Sequence, residues 1–199
     1  MPSSVRYIRV ECGGDFTFAL GKDGEVFSWG LNIKGQLGHG HFEPVSSAAQ
    51  LRYLSYSGDS KSPRMSRKSK DNNDDVKLTF GEKITDVACG ALHSLLLTNK
   101  GRVFASGFNE TYALGNGNTE NQCTFSEVPF FSSGQAYDRN ITKLAAGVSH
   151  SACIIQDTAY VWGVWGTQQN MINQTPAAVQ MSSIQGNSKF SRFRESSYL

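Results

Sequence analysis

The chain has 199 residues, a net charge of +2, 18% charged residues and 20 glycines. That size can bury one core of about two-thirds of the unfolded surface, and the small net charge gives no strong pull toward nucleic acid or membrane surfaces. No apolar run approaches the roughly 18 residues of a membrane-spanning helix, and the N-terminus lacks the basic-then-apolar pattern of a secretory signal.

Read from the N-terminus, the first unit opens on Val10-Glu11-Cys12-Gly13. Two strand-like runs follow, Thr17-Phe18-Ala19-Leu20 and Val26-Phe27-Ser28-Trp29, linked by Gly21-Lys22-Asp23-Gly24. Apolar and β-branched runs joined by a short Gly-containing link predict a β-hairpin. Gly30 ends the second strand, and Asn32 and the loop Gly35-Gln36-Leu37-Gly38-His39-Gly40 come next.

Residues 57–75 break the pattern, with almost no apolar residue and a basic run formed by Lys61, Arg64, Arg67, Lys68 and Lys70. A segment with nothing to bury is expected to be a disordered surface insertion. Ser62-Pro63 within it is a minimal proline-directed phosphorylation site, where phosphate would pair with the neighbouring arginines.

The second unit repeats the first as Val87-Ala88-Cys89-Gly90, His93-Ser94, Asn99-Lys100-Gly101, Val103 to Gly107, Asn109 and Leu114-Gly115-Asn116-Gly117. The third reads Leu144-Ala145-Ala146-Gly147, His150-Ser151 and Tyr160-Val161-Trp162-Gly163, with a tighter link at Gln156-Asp157. Gly30 follows Cys12 by 18 positions, Gly107 follows Cys89 by 18, and Gly163 follows Ala146 by 17. A rigid unit recurring at about 50 residues predicts stacked supersecondary units in place of one irregular core. Small residues followed by large ones suit a sheet that narrows toward an axis.

The divisions expected are repeat 1 at 1–56, the insertion at 57–75, repeat 2 at 76–133, repeat 3 at 134–180 and a tail at 181–199. In the tail, Lys189-Phe190-Ser191-Arg192-Phe193-Arg194 alternates basic and aromatic residues.

These repeats resemble those of the regulator of chromosome condensation family, most specifically at Gly35 to Gly40 and at Gly90-Ala91-Leu92-His93-Ser94. The resemblance implies an all-β fold, a β-propeller of which about three blades are present as an incomplete arc. It places the start of each outer strand near Pro44-Val45, Val128-Pro129 and Pro176 with Val179. Phe16 departs from the family's His, Ser106 from its Trp, and Tyr112-Ala113 from its Gly-Gln pair. An open arc leaves the apolar faces of its end blades uncovered, to be covered by further sequence, by another chain or by the segment 181–199.

The functional residues follow from the same pattern. Gly13, Gly90 and Gly147 mark close backbone approach, and Gly30, Gly107 and Gly163 end the hairpins. His93 and His150 recur at one position with no acid at a fixed offset, so they read as structural and not as part of a triad. The imidazole is expected on a backbone carbonyl of a neighbouring blade, and the Ser hydroxyl on the turn. Trp29 and Trp162 are expected between blades. Trp165 falls in a loop and is a candidate exposed contact. His39 and His41 lack further metal ligands nearby, and no cofactor motif is present. The acceptor triplets at Asn109, Asn140 and Asn173 read as chance matches.

Repeats of this kind hold partners more often than they do chemistry. The expected function is a non-enzymatic interaction scaffold within a larger protein or assembly, cytoplasmic (cytoskeletal or ciliary) or nuclear. Two alternatives come from the resemblance: guanine-nucleotide exchange on a Ran-like small GTPase, and targeting repeats of a multidomain kinase or ubiquitin ligase. Chromatin binding has little support from a charge of +2.

Overall fold

A computed structural model describes residues 4–51, 78–132, 140–165 and 172–179. The insertion's basic residues and Ser62, and the tail, lie outside them.

The described chain forms three four-stranded antiparallel sheets in sequence order. The first contains β1 (Tyr7–Cys12), β2 (Phe16–Gly21), β3 (Val26–Gly30) and β4 (Val45–Gln50). The second contains β5 (Ile84–Cys89), β6 (His93–Thr98), β7 (Val103–Gly107) and β8 (Gln122–Glu127). The third contains β9 (Ile141–Ala146), β10 (His150–Ile155), β11 (Thr158–Val164) and β12 (Ile172–Ala178). Each sheet runs from its first strand to its fourth without a crossover, the topology of a propeller blade. The sheets approach each other along β1, β5 and β9, so these strands are innermost.

Register equates the blades residue by residue. Phe16 pairs with Gly30, His93 with Gly107 and His150 with Gly163. One position on, Thr17 pairs with Trp29, Ser94 with Ser106 and Ser151 with Trp162. The missing residue of the third unit is explained by its turn, where Gln156 and Asp157 both adopt positive φ, at 44° and 65°. Two consecutive left-handed residues make the two-residue link that matches strand twist.

Two apolar layers lie between the blades. Phe16, Phe18, Leu20, Val26 and Leu37 of blade 1 pack on Ile84, Val87, Leu96, Phe104 and Phe125 of blade 2. The other face of blade 2, through Leu95, Leu97, Val103 and Leu114, packs on Leu144, Cys153, Ile155 and Trp162 of blade 3. Blade 2 is buried on both faces, which accounts for the unbroken burial of β6 and β7.

The outer strands differ from the expectation in two blades. Val128-Pro129 follows β8, and Pro129 begins a short 3-10 turn ending at Phe131. Pro176 lies inside β12 and not at its start. Proline has no N–H for a ladder, and as the fourth strand of its sheet β12 can hold one at the sheet edge. No described helix is long and apolar enough to cross a membrane.

Candidate functional site

Hydrogen bonds between blades use one register position. Ser94 Oγ donates to the Gln36 carbonyl at 2.6 Å, and Ser151 Oγ donates to the Ala113 carbonyl at 2.8 Å. Each hydroxyl therefore reaches the loop of the preceding blade and leaves its own turn alone, contrary to the sequence expectation. Trp162 Nε1 also donates to Ala113 O at 2.9 Å, and Ser106, in the same register, donates to Gly35 O at 2.8 Å. His93 Nε2 lies 2.9 Å from Ser151 Oγ. Since Ser151 gives its one proton to Ala113, the imidazole donates through Nε2, and Nδ1 keeps a lone pair without a partner. Burial holds His93 neutral, with its pKa lowered to about 4.

The glycines of the Gly35–Gly40 loop have a more specific task than letting the chain turn. They press the loop of one blade onto the outer strand of the next. A Cβ at Gly35, whose φ is 82°, would meet Cys123 Cα and Gln122 O at 2.5 Å. Gly40 N donates to Cys123 O at 2.8 Å, and Gly117 N donates to Gln174 O at 3.3 Å one blade on. Tyr112 occupies the equivalent of Gly35 and takes a positive φ of 61° without being glycine.

The rim above these loops is built by asparagine. Asn32 is fully buried. Its Oδ1 accepts from Leu37 N at 2.9 Å, and its Nδ2 donates to the carbonyls of His41 at 2.7 Å and Glu43 at 3.1 Å. The backbone on either side of Phe42 is thereby tied to Asn32, the residue before Ile33. The Ile33 and Phe42 side chains face solvent, at 55% and 48% exposure. Asn109 repeats the device, accepting from Leu114 N and donating to Asn118 O at 2.8 Å. Lys34 joins the rims of two blades through Glu110 at 3.1 Å and lies over the Phe108 ring.

The candidate residues fall unevenly on this surface. Trp165 sits two positions after Gly163, where Asn32 and Asn109 follow Gly30 and Gly107. It is half-buried, and its Nε1 is buried without a hydrogen bond. It takes the repeat position of Asn32 and Asn109 and lies in the loop after β11. Trp162 is buried against Phe131, whereas Trp29, in the same register, is only half-buried because no described sheet lies in front of blade 1. His39 and His41 stack at 5.8 Å, His39 against Ser28 Oγ and His41 as acceptor from Glu43 N. No group of three metal-ligating side chains occurs among the described residues. Asn109 is too buried to accept a glycan, and Asn173 donates to Val161 O within its sheet. The sequence reading missed Ile33 and Phe42. Their signal was an asparagine at a fixed offset from the hairpin glycine, followed by apolar residues in a loop.

Comparison with known proteins places this surface in context. The regulator of chromosome condensation (RCC1) repeat model matches residues 23–97 and 100–154. The ultraviolet-B receptor UVR8 of Arabidopsis thaliana is 31% identical over 167 residues, covering 82% of this chain and 31% of that protein. The crystal structure of human WBSCR16 superposes with a TM-score of 0.68 at 21% identity, over 96% of this chain and 42% of that one. Prp20p of Saccharomyces cerevisiae, described with binding to Gsp1p and histones, gives 0.63 at 20% identity over 90% of this chain and 39% of that one. The chain thus spans less than a third of the length of UVR8.

Proposed function

The chain belongs to the regulator of chromosome condensation (RCC1) repeat family, and from that premise we propose that it is a non-enzymatic protein-binding module working within a larger protein or assembly. Its partner docks on the loop rim that carries Ile33 and Phe42. One observation supports this reading above the rest: a fully buried asparagine uses three hydrogen bonds to hold two large apolar side chains out in water. Apolar anchors on a preorganised loop are the usual core of a protein-binding patch. Lys34 and Glu110 give that patch a polar margin. The basic cluster of Lys61, Arg64, Arg67, Lys68 and Lys70, with Ser62 as its modification site, is a second proposed contact, toward an acidic protein surface.

The test compares the full chain with an Ile33→Asp/Phe42→Asp variant in quantitative capture from cell extract, with circular dichroism to show equal folding. A stoichiometric partner lost only from the variant is expected. Equal recovery of every protein by the two chains would exclude the rim. Nucleotide release from a Ran-type GTPase is the discriminating control, since acceleration at catalytic protein concentrations would select the exchange-factor alternative.

A further inference from the structure

The rim carries more than two apolar anchors, and the blade repeat arranges its charge. Glu43 and Glu120 hold one repeat position, each 13 residues after the glycine that ends the third strand, Gly30 or Gly107. The buried asparagines hold the backbone at both. Asn32 Nδ2 donates to Glu43 O at 3.1 Å, and Asn109 Nδ2 donates to Asn118 O, whose own Oδ1 accepts from Glu120 N at 2.9 Å. Both glutamates are exposed. Blade 2 sets Glu110 and Thr119 where blade 1 sets Ile33 and Phe42. An apolar pair on one blade therefore adjoins an acidic stretch on the next. Lys34 links the two, its Nζ 3.1 Å from Glu110 Oε1, so three carboxylates share one ammonium.

The other lysines and arginines among the described residues lie away from this rim. Arg6, Lys22, Lys83 and Lys100 sit at the opposite ends of the strands, where Lys22 N meets Arg6 O and Asn99 N meets Lys83 O. Arg9 and Lys143 lie on the inner strands, and Arg102 is paired with Glu82 and Glu127. Both blades that flank the anchors are in place. The loop carrying Ile33 and Phe42 is pressed onto β8, with Gly40 N on Cys123 O at 2.8 Å, so its exposure belongs to a filled junction.

Taking the rim as the docking surface of the preceding reading, we infer the chemistry of the partner: a basic amphipathic protein segment. Two large apolar side chains cover Ile33 and Phe42, and lysine or arginine beside them meets Glu43, Glu110 and Glu120. The apolar pair supplies the buried contact. Charge at its margin selects the partner and its orientation, because like charges set against each other are costly. An acidic segment, a nucleic-acid backbone and an anionic lipid surface all meet three carboxylates of their own sign. A neutral apolar segment leaves Glu43 and Glu120 without a counter-charge.

A random display library of peptides about 16 residues long, selected on the 199-residue chain and counter-selected on Ile33→Ser/Phe42→Ser, tests it. Selection near pH 8 keeps an ordinary imidazole neutral, so that His39 and His41 add no charge. The rim-dependent peptides are expected to carry an apolar pair and more lysine and arginine than acid. The leading peptide should bind Glu43→Gln/Glu120→Gln roughly tenfold more weakly, with circular dichroism showing equal folding. Its affinity for the unchanged chain should fall between about 50 and 300 mM salt. Rim-dependent peptides that are neutral or acidic overturn the inference and leave the rim as a docking surface. So does a leading peptide indifferent to Glu43→Gln/Glu120→Gln. Basic peptides retained equally by Ile33→Ser/Phe42→Ser show charge acting alone and also overturn it. Absence of any rim-dependent peptide overturns both the inference and the reading it rests on.

Discussion

His93 on blade 2 reaches across to Ser151 on blade 3, Nε2 to Oγ at 2.9 Å, and Ser151 passes its own proton back to Ala113 of blade 2. The neutral imidazole is the form this relay uses. Burial lowers the His93 pKa to about 4 from an ordinary value near 6.5. The folded state therefore binds fewer protons than the unfolded state between those limits. Stability from this site is complete above about pH 6.5 and is lost as pH falls toward 4. The full loss is about 3 kcal/mol for an otherwise unchanged chain. Urea titrations at pH 7, 6, 5 and 4.5 should show this slope. His93→Phe, which copies what blade 1 does with Phe16, should flatten it. An unchanged slope in His93→Phe would assign the dependence elsewhere.

Blade 1 and blade 2 answer the same backbone demand differently. Gly35 has φ 82° with Cys123 Cα and Gln122 O where a Cβ would go, whereas Tyr112 already carries a side chain at φ 61°. Gly35→Ala should cost more than 2 kcal/mol, since about 1 kcal/mol of left-handed strain adds to a backbone clash that nothing flexible can relieve. Tyr112→Ala keeps the strain already present and should change stability by less than half of that. Thermal melts of the two variants, run side by side, give the comparison.

How much of this was legible beforehand follows from the kind of interaction involved. Hairpins and their order were readable because strand period, link residues and glycine spacing are local. Phe18 to Trp29 and Val103 to Gly107 fold as the residue pattern required. The outer strands were misplaced in blades 2 and 3, because proline was read as a strand start when in one case it begins a 3-10 turn and in the other sits inside an edge strand. Ser94 and Ser151 were assigned to their own turns. The acceptors they use, Gln36 and Ala113, lie 58 and 38 residues away in sequence and become neighbours only on stacking. The repeat position of Trp165 was missed for a related reason. The equivalence of its position to Asn32 depends on counting from Gly163, while the residue type itself suggests an interface.

Asn32 offers a direct way to separate the rim's architecture from its surface. Replacing it by Ala removes three hydrogen bonds at once and leaves Leu37 N buried. A loss of about 2–3 kcal/mol is expected, set mainly by the unsatisfied group. Amide exchange should speed up at residues 37–43 before it does in β2 or β3. Asn109→Ala should act likewise on residues 114–118, since Leu114 N and Asn118 O use the same side chain. Uniform acceleration over the whole blade would mean that the asparagine supports the core and not the rim alone.

Arg102 holds two carboxylates at the outer part of blade 2. Its guanidinium pairs with Glu82 at 2.9 Å and with Glu127 through Nε at 2.9 Å, and it lies 4.8 Å from the Phe104 ring centre. The Glu82 carboxylate is removed from solvent. Burial pushes its pKa up, but hydrogen bonds from Thr79 and Thr98 and the charge of Arg102 together outweigh that and leave it below the ordinary value. Arg102→Ala would strand this charge and should cost about 3–5 kcal/mol. Arg102→Lys should recover only part, because an ammonium cannot bridge two carboxylates in a fixed fork. Glu127 keeps some contact with water, so Glu127→Gln should cost about 1 kcal/mol. Glu82→Leu combined with Arg102→Met should be milder than Arg102→Ala alone, since an apolar pair leaves no buried charge behind. Urea midpoints of the four variants at pH 7 decide the matter. Equal loss in Arg102→Ala and in the apolar double variant would show that packing on Phe104, and not the stranded Glu82 charge, dominates at this site.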